Sequence, residues 1–252
     1  MSLFTAYIVG AQKAGTTSIY QWLAQHPDVC APNEAKDFPL FSGDADSFSS
    51  RLSRMQKVYA RNTSEDQRVA IGAEANLVFS KHGVERLADA APNCRIIFLI
   101  RRPDERCFSA WRYARERGLD KRSFAEAIHA EISGDIYPAC TYEARQMNYL
   151  DHSRYADQLA NLKKYFPKEN ILVLPFKVLS AAPEVIMKLV CEFLKIDQDV
   201  QFDFRASNKT TGASRSKVLN SVLHGKRNTR IFTMLRYLVP FALRANIRQS
   251  LV

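Results

Sequence analysis

The sequence predicts an α/β fold in three layers, with a P-loop-like central parallel sheet flanked by helices. Three observations predict it. Short apolar runs bounded by turn residues alternate with segments of helical period along the chain. The runs are continuously apolar, as in strands buried on both faces. The first of them passes directly into a Gly-x4-Gly loop and then a helix.

In chain order, residues 6–9 form the first expected strand, and 16–25 the first helix, with Ile19, Trp22 and Leu23 on one face. Strands follow at 69–73 and 95–100. Helical periodicity then covers 105–116, 124–132 and 155–165, before a strand at 170–174 and a helix at 183–194. Pro103 and Pro183 fall in or near first turns, where a missing N–H costs nothing. Two further helical stretches, 217–223 and 229–239, end at Pro240. No repeat, low-complexity stretch or Pro/Gly/Ser-rich linker divides the chain. Residues 1–252 are therefore expected to form one domain, with the helical segment 204–252 part of it.

Apolar residues make up 46% of the 252 and charged residues 25%, which is a soluble, globular composition. No run of about 18 apolar residues suggests a membrane span, and the first residues lack the layout of a signal peptide. A cytoplasmic protein is expected. The five cysteines, Cys30, Cys94, Cys107, Cys140 and Cys191, show neither Cys-x-x-Cys nor zinc-ligand spacing, so reduced thiols are expected. The net charge of +10 resides in one place. Residues 204–252 carry ten basic and no acidic side chains, leaving the first 203 neutral with 26 of each sign. Such a tail favours an anion: a nucleotide phosphate, an acidic acceptor, a membrane surface or nucleic acid.

The loop Gly10-Ala-Gln-Lys-Ala-Gly15-Thr16-Thr17 has the strand–loop–helix context of a phosphate cradle. It departs from the nucleotide-triphosphatase form, which needs Lys where Thr16 stands. The apolar strand 95–100 ends in Arg101-Arg102 rather than the metal-binding aspartate of such enzymes. An arginine pair there binds phosphate directly and repels a metal. Mg²⁺-dependent ATP or GTP hydrolysis is thereby disfavoured. The rivals are a nucleotide kinase and a non-catalytic binder of nucleic acid or anionic lipid.

Gln12-Lys-Ala-Gly-Thr-Thr-Ser18, followed by His26-Pro27, resembles the 5′-phosphosulfate loop of sulfotransferases that use 3′-phosphoadenosine-5′-phosphosulfate (PAPS). The heparan-sulfate-type branch and its bacterial relatives are the most similar. Ile100-Arg101-Arg-Pro-Asp-Glu-Arg106-Cys-Phe-Ser109 is similar to that family's 3′-phosphate motif. The resemblance runs from about Tyr7 to about Ser216.

It implies PAPS as co-substrate, 3′,5′-ADP (PAP) as product and no metal. It implies that Gln12, Lys13, Ala14, Gly15, Thr16 and Thr17 hold the 5′-phosphosulfate, with Lys13 stabilising charge on the leaving phosphate. Thr16 or Thr17 can cap the helix at the same time. The 3′-phosphate falls to Arg101 and Ser109, with Arg102 as a neighbour one register away and Arg215 reaching in from a late loop at 208–215. Glu34 is implied as general base, and Asp37 is the second candidate. Arg106 is expected to be structural, Arg154-Tyr155 to pack, and His26 to end the first helix. Ala75, in Glu74-Ala75-Asn76, stands where many relatives carry an assisting lysine. Lys36 is the cation nearest in sequence to take that task, and Glu74 is either an acceptor ligand or a structural carboxylate. The expected acceptor is a small molecule or carbohydrate, walled by residues 42–68 and the tail. No nucleic-acid partner is expected, and peripheral membrane contact by the tail is left open.

Overall fold

A computed structural model describes residues 3–135, 137 and 147–205 of the chain. The five strands are β1 (Ala6–Gly10), β2 (Val29–Cys30), β3 (Val69–Ala73), β4 (Arg95–Ile100) and β5 (Ile171–Pro175). They form one sheet in the order β2-β3-β1-β4-β5, every pairing parallel. The register sets Ala6 beside Ile71 and Arg95, and Ile97 beside Leu172. The helices are α1 (Thr16–Leu23), α2 (Phe48–Asn62), α3 (Lys81–Ala90), α4 (Pro103–Glu116), α5 (Phe124–Ile132), α6 (Tyr155–Tyr165), α7 (Phe176–Ala181) and α8 (Pro183–Leu194).

The expected strands and helices are all present within the described residues, with ends shifted by one or two positions. The first helix stops at Leu23 rather than 25, and the last strand begins one residue later. The helical stretches expected at 217–223 and 229–239 lie outside the described residues. Four elements were not expected. Strand β2 has only two residues. Helix α2 is mostly polar, with three Ser, three Arg and one Lys among its fifteen residues, and buries Met55, Val58 and Tyr59. Helix α3 carries Gly83, whose N–H bonds the capping Ser80 hydroxyl at 3.0 Å. Helix α7 is only six residues long.

Burial explains the sheet. Strand β1 is buried at every position, and Ile96, Ile97, Phe98 and Leu99 of β4 are all buried. Truncating one such side chain, Ile97→Ala, costs about 2–5 kcal/mol. The topology also decides where a ligand fits. From β1 the chain crosses leftward to β2, and from β3 it crosses over β1 to β4. Right-handed crossovers send α1 and α3 to opposite faces, and α3 packs against α6. The carboxyl ends of β1 and β4 therefore flank a switch point, where α/β sheets open a crevice for ligands.

Candidate functional site

Two loops open into that crevice. The first leaves β1, with the Ala11 N–H still bonded to Leu99 O at 2.8 Å, and tightens through Ala14 N–H to Ala11 O at 3.1 Å. Lys13 (φ 68°) and Gly15 (φ 91°) both adopt left-handed backbone. Only glycine suits position 15, since a Cβ there would lie 2.4 Å from Leu179 Cδ2 and 3.2 Å from Phe176 Cδ2. The first intrahelical bond of α1 runs from Ile19 N–H to Gly15 O at 3.3 Å. The N–H groups of residues 15–18 thus have no acceptor in the helix. No side chain caps this end, and no acidic residue stands in the first turn. A helix N-terminus of this kind carries partial positive charge and favours an anion.

The second loop follows β4. Arg101 reaches back across 88 residues, Nη1 donating to Lys13 O at 3.4 Å. Its Nε donates to Glu105 Oε2 at 3.1 Å, and its guanidinium lies 4.6 Å from the Phe176 ring centroid. The Arg101 N–H bonds Tyr155 Oη at 3.3 Å, so Tyr155 fixes this turn as well as packing edge-on against Phe98. Arg102 points into solvent and pairs with Asp104 at 2.8 Å. Ser109 is buried one helical turn before Tyr113.

The Lys13 ammonium lies 4.4 Å from the Tyr113 ring centroid. Burial holds its pKa below the usual lysine range, and Arg117, Arg112 and Arg101 push the same way against Glu116. The structure therefore brings Gln12–Thr17, Arg101 and the Ser109–Tyr113 face of α4 into one cationic site. Arg106, five residues after Arg101, belongs elsewhere. It is fully buried, with Nε on Ser153 Oγ at 2.6 Å and Nη2 on the Tyr149 carbonyl. That is the expected structural role.

Glu34 lies in a short 3₁₀ turn, Asn33–Ala35, just after β2. Its side chain is exposed, and no hydrogen bond or ion pair holds its carboxylate among the described residues. Asp37 is fixed. It is left-handed (φ 57°), its Oδ1 accepts from Ala75 N–H at 3.0 Å, and its Oδ2 pairs with Lys36. Lys36 in turn bridges β3 at Ala73. The two residues considered separately in the sequence thus form one ion pair at the sheet end beside Ala75. Glu74 is structural. Its carboxylate is buried and accepts from Tyr7 Oη at 2.8 Å and from the N–H groups of Phe41 at 2.8 Å and Ser42 at 3.1 Å. Burial raises its pKa against these bonds. His26 links the end of α1 to Asp197 O at 2.9 Å. Cys30, Cys94, Cys107 and Cys191 are free and buried. Cys140, Arg215 and the basic tail beyond Arg205 lie outside the described residues, and among those described no helix is long and apolar enough to cross a membrane.

Sequence reasoning missed Tyr113, Arg117 and Phe176. The signal for the first two was present: Ser109, Tyr113 and Arg117 recur every fourth residue. Phe176 had none, because its role depends on where β5 ends.

Fold and site together define a P-loop-like α/β protein whose first loop and strand-end arginine meet in one cationic site. The chain belongs to the sulfotransferase family: residues 5–228 match the Sulfotransferase domain, and members use PAPS. The bifunctional heparan sulfate N-deacetylase/N-sulfotransferase 1 of Mus musculus is 24% identical over 199 residues, covering 77% of this chain and 22% of that protein. Its Xenopus tropicalis counterpart is 26% identical over 204 residues, again 77% and 22%. The chain thus spans about a fifth of the length of the curated relatives it matches. A sulfotransferase from Alicyclobacillus acidocaldarius has the same fold, with a TM-score of 0.67 and 23% identity over 81% of this chain and 86% of that one. The sulfotransferase domain from the curacin biosynthetic pathway gives 0.53 and 14% over 81% and 80%.

Proposed function

We propose that the chain transfers the sulfuryl group of PAPS to a hydroxyl or amine of a small-molecule or carbohydrate acceptor. The hydrogen bond from Arg101 to the Lys13 carbonyl carries this reading. It joins the two phosphate motifs into one site, as a donor with phosphates at both its 3′ and 5′ positions requires. The donor supplies an activated sulfur and a phosphate leaving group. The free N–H groups of residues 15–18 and the hydroxyls of Thr16 and Thr17 bind the 5′ end, flanked by Gln12 and Ala14. Lys13 offsets the charge that develops on the leaving oxygen. Arg101 and Ser109 bind the 3′-phosphate, and Arg215 is assigned to the same group. Glu34, unpaired among the described residues, accepts the acceptor's proton, while Asp37 is tied to Lys36 and Ala75 and serves less well as a base. We read residues 1–252 as one cytoplasmic domain, with the tail at 204–252 belonging to it.

Calorimetric titration with 3′,5′-ADP in EDTA tests the donor site, with radiolabelled PAPS to follow transfer. Arg101→Ala is expected to weaken 3′,5′-ADP by about 10- to 100-fold, with ATP competing poorly. Absent binding, or ATP preferred only with Mg²⁺, overturns the reading in favour of a nucleotide kinase.

A further inference from the structure

Ser109, Tyr113 and Arg117 share one face of α4, with Arg117 capping its end. Lys13 and Arg117 both lie on the Tyr113 ring, at 4.4 and 4.0 Å from its centroid. One ring thus keeps the two cations within about 8 Å of each other. After burial, Arg117 is the largest influence on the Lys13 ammonium, and Arg112 comes next. Arg101 has Glu105 as counter-ion and Arg112 has Glu116. Among the described residues no carboxylate lies within ion-pair distance of Arg117. Like charges held this close favour an anion beside them.

The donor does not account for Arg117. With the 3′-phosphate on Arg101 and Ser109 and the leaving phosphate at Lys13, both ends of the donor are already served. Arg117 lies two turns, about 12 Å, beyond Ser109 along the helix, past the station of Lys13 on Tyr113. In-line transfer brings the acceptor in opposite the leaving phosphate. We propose that Arg117, on its Tyr113 platform, is an acceptor-side anion site. Preferred acceptors then carry a negatively charged group, such as a carboxylate, near the hydroxyl or amine that is sulfated. This rests on the donor placement proposed above.

The test uses the full chain, radiolabelled PAPS and matched acceptor pairs on sugar, phenol and aliphatic-alcohol skeletons. Each pair comprises a carboxylate and its neutral methyl amide. On any skeleton that reacts, the carboxylate is expected to be favoured about tenfold in kcat/KM, mainly through KM. Arg117→Gln should abolish that preference, Arg117→Lys should keep most of it, and neither should change the Kd for 3′,5′-ADP. A preference that survives in Arg117→Gln, a preferred neutral member, or no carboxylate reacting while 3′,5′-ADP binds overturns the proposal. Loss of 3′,5′-ADP affinity in Arg117→Gln also overturns it, assigning Arg117 to the donor. If wild type fails to bind 3′,5′-ADP, the donor reading itself fails.

Discussion

Gly15→Ala should damage both the fold and the donor site. At φ 91° an alanine is held in left-handed backbone, at a cost of about 1–2 kcal/mol. Its Cβ would also stand 2.4 Å from Leu179 Cδ2 and 3.2 Å from Phe176 Cδ2, and forcing such neighbours apart costs about 1–3 kcal/mol. The two effects reach about 2–5 kcal/mol, which lowers Tm by roughly 5–15 °C for a domain of this size. Scanning calorimetry measures the drop, and the Gly15→Ala/Leu179→Ala pair separates its parts. Leu179→Ala alone destabilises by opening a cavity. Combined with Gly15→Ala it also removes the clash, so the double variant should be more stable than additivity predicts by about 1–3 kcal/mol. The backbone part should persist. Additive effects would refute the contact between loop and α7, and an unchanged Tm would refute the left-handed turn itself.

Three further outcomes follow from the same geometry. Arg106→Ala should cost about 3–5 kcal/mol, because it strips a buried guanidinium from Ser153 and the Tyr149 carbonyl. In conditions where it stays folded, its Kd for 3′,5′-ADP should match wild type, and a large loss of affinity would contradict the assignment. Because burial and three arginines lower the Lys13 pKa, a bound anion should raise it again, so the complex holds more protons than the free protein between the two values. Binding of 3′,5′-ADP should therefore take up a proton in that window and weaken as pH rises through it. Titrations in buffers of different ionisation enthalpy detect the uptake, and its persistence in Lys13→Arg would place it elsewhere. Glu74 is held above the usual carboxylate range by burial. Its contribution to stability is full below the unfolded pKa and is lost as pH rises through the folded one. Glu74→Gln should flatten that decline in Tm while costing about 1–3 kcal/mol from mismatched donors; an identical pH profile in the variant would remove Glu74 as its source.

The sheet was legible because its strands are buried on both faces and so read as unbroken apolar runs, as Ile96–Leu99 does. Helix α2 was hidden because only three of its fifteen residues are buried, which leaves a polar segment with little periodic signal. The resemblance already placed the two phosphate motifs on one ligand, but the contact that joins them was not readable. Lys13 and Arg101 are 88 residues apart, and only the placing of β4 beside β1 brings them within hydrogen-bond reach. Lys36 and Asp37 show the opposite case. They are adjacent in sequence, yet their pairing depends on a left-handed turn that Ala75 N–H stabilises across the sheet end.

Helix α4 explains why the site's outer wall is harder to read than its floor. Arg106, Ala110 and Ala114 recur every fourth residue and are all buried, anchoring the helix to the segment around Tyr149. Ser109, Tyr113 and Arg117 recur with the same spacing on the neighbouring stripe, about 60° around the helix. By period alone the two stripes are equivalent, and a fully buried arginine is rarer than an exposed one. Spacing alone therefore does not separate them, although Arg106 was expected to be structural because it faces a different side of the helix from Ser109. What decides is the partner: Arg106 ends on a hydroxyl and a carbonyl, whereas Arg117 ends on a ring already shared with Lys13. A cation with fixed neutral acceptors is spent on structure. One placed against a second cation favours an anion beside it, and that difference separates the stability-determining stripe of α4 from the stripe that meets Lys13.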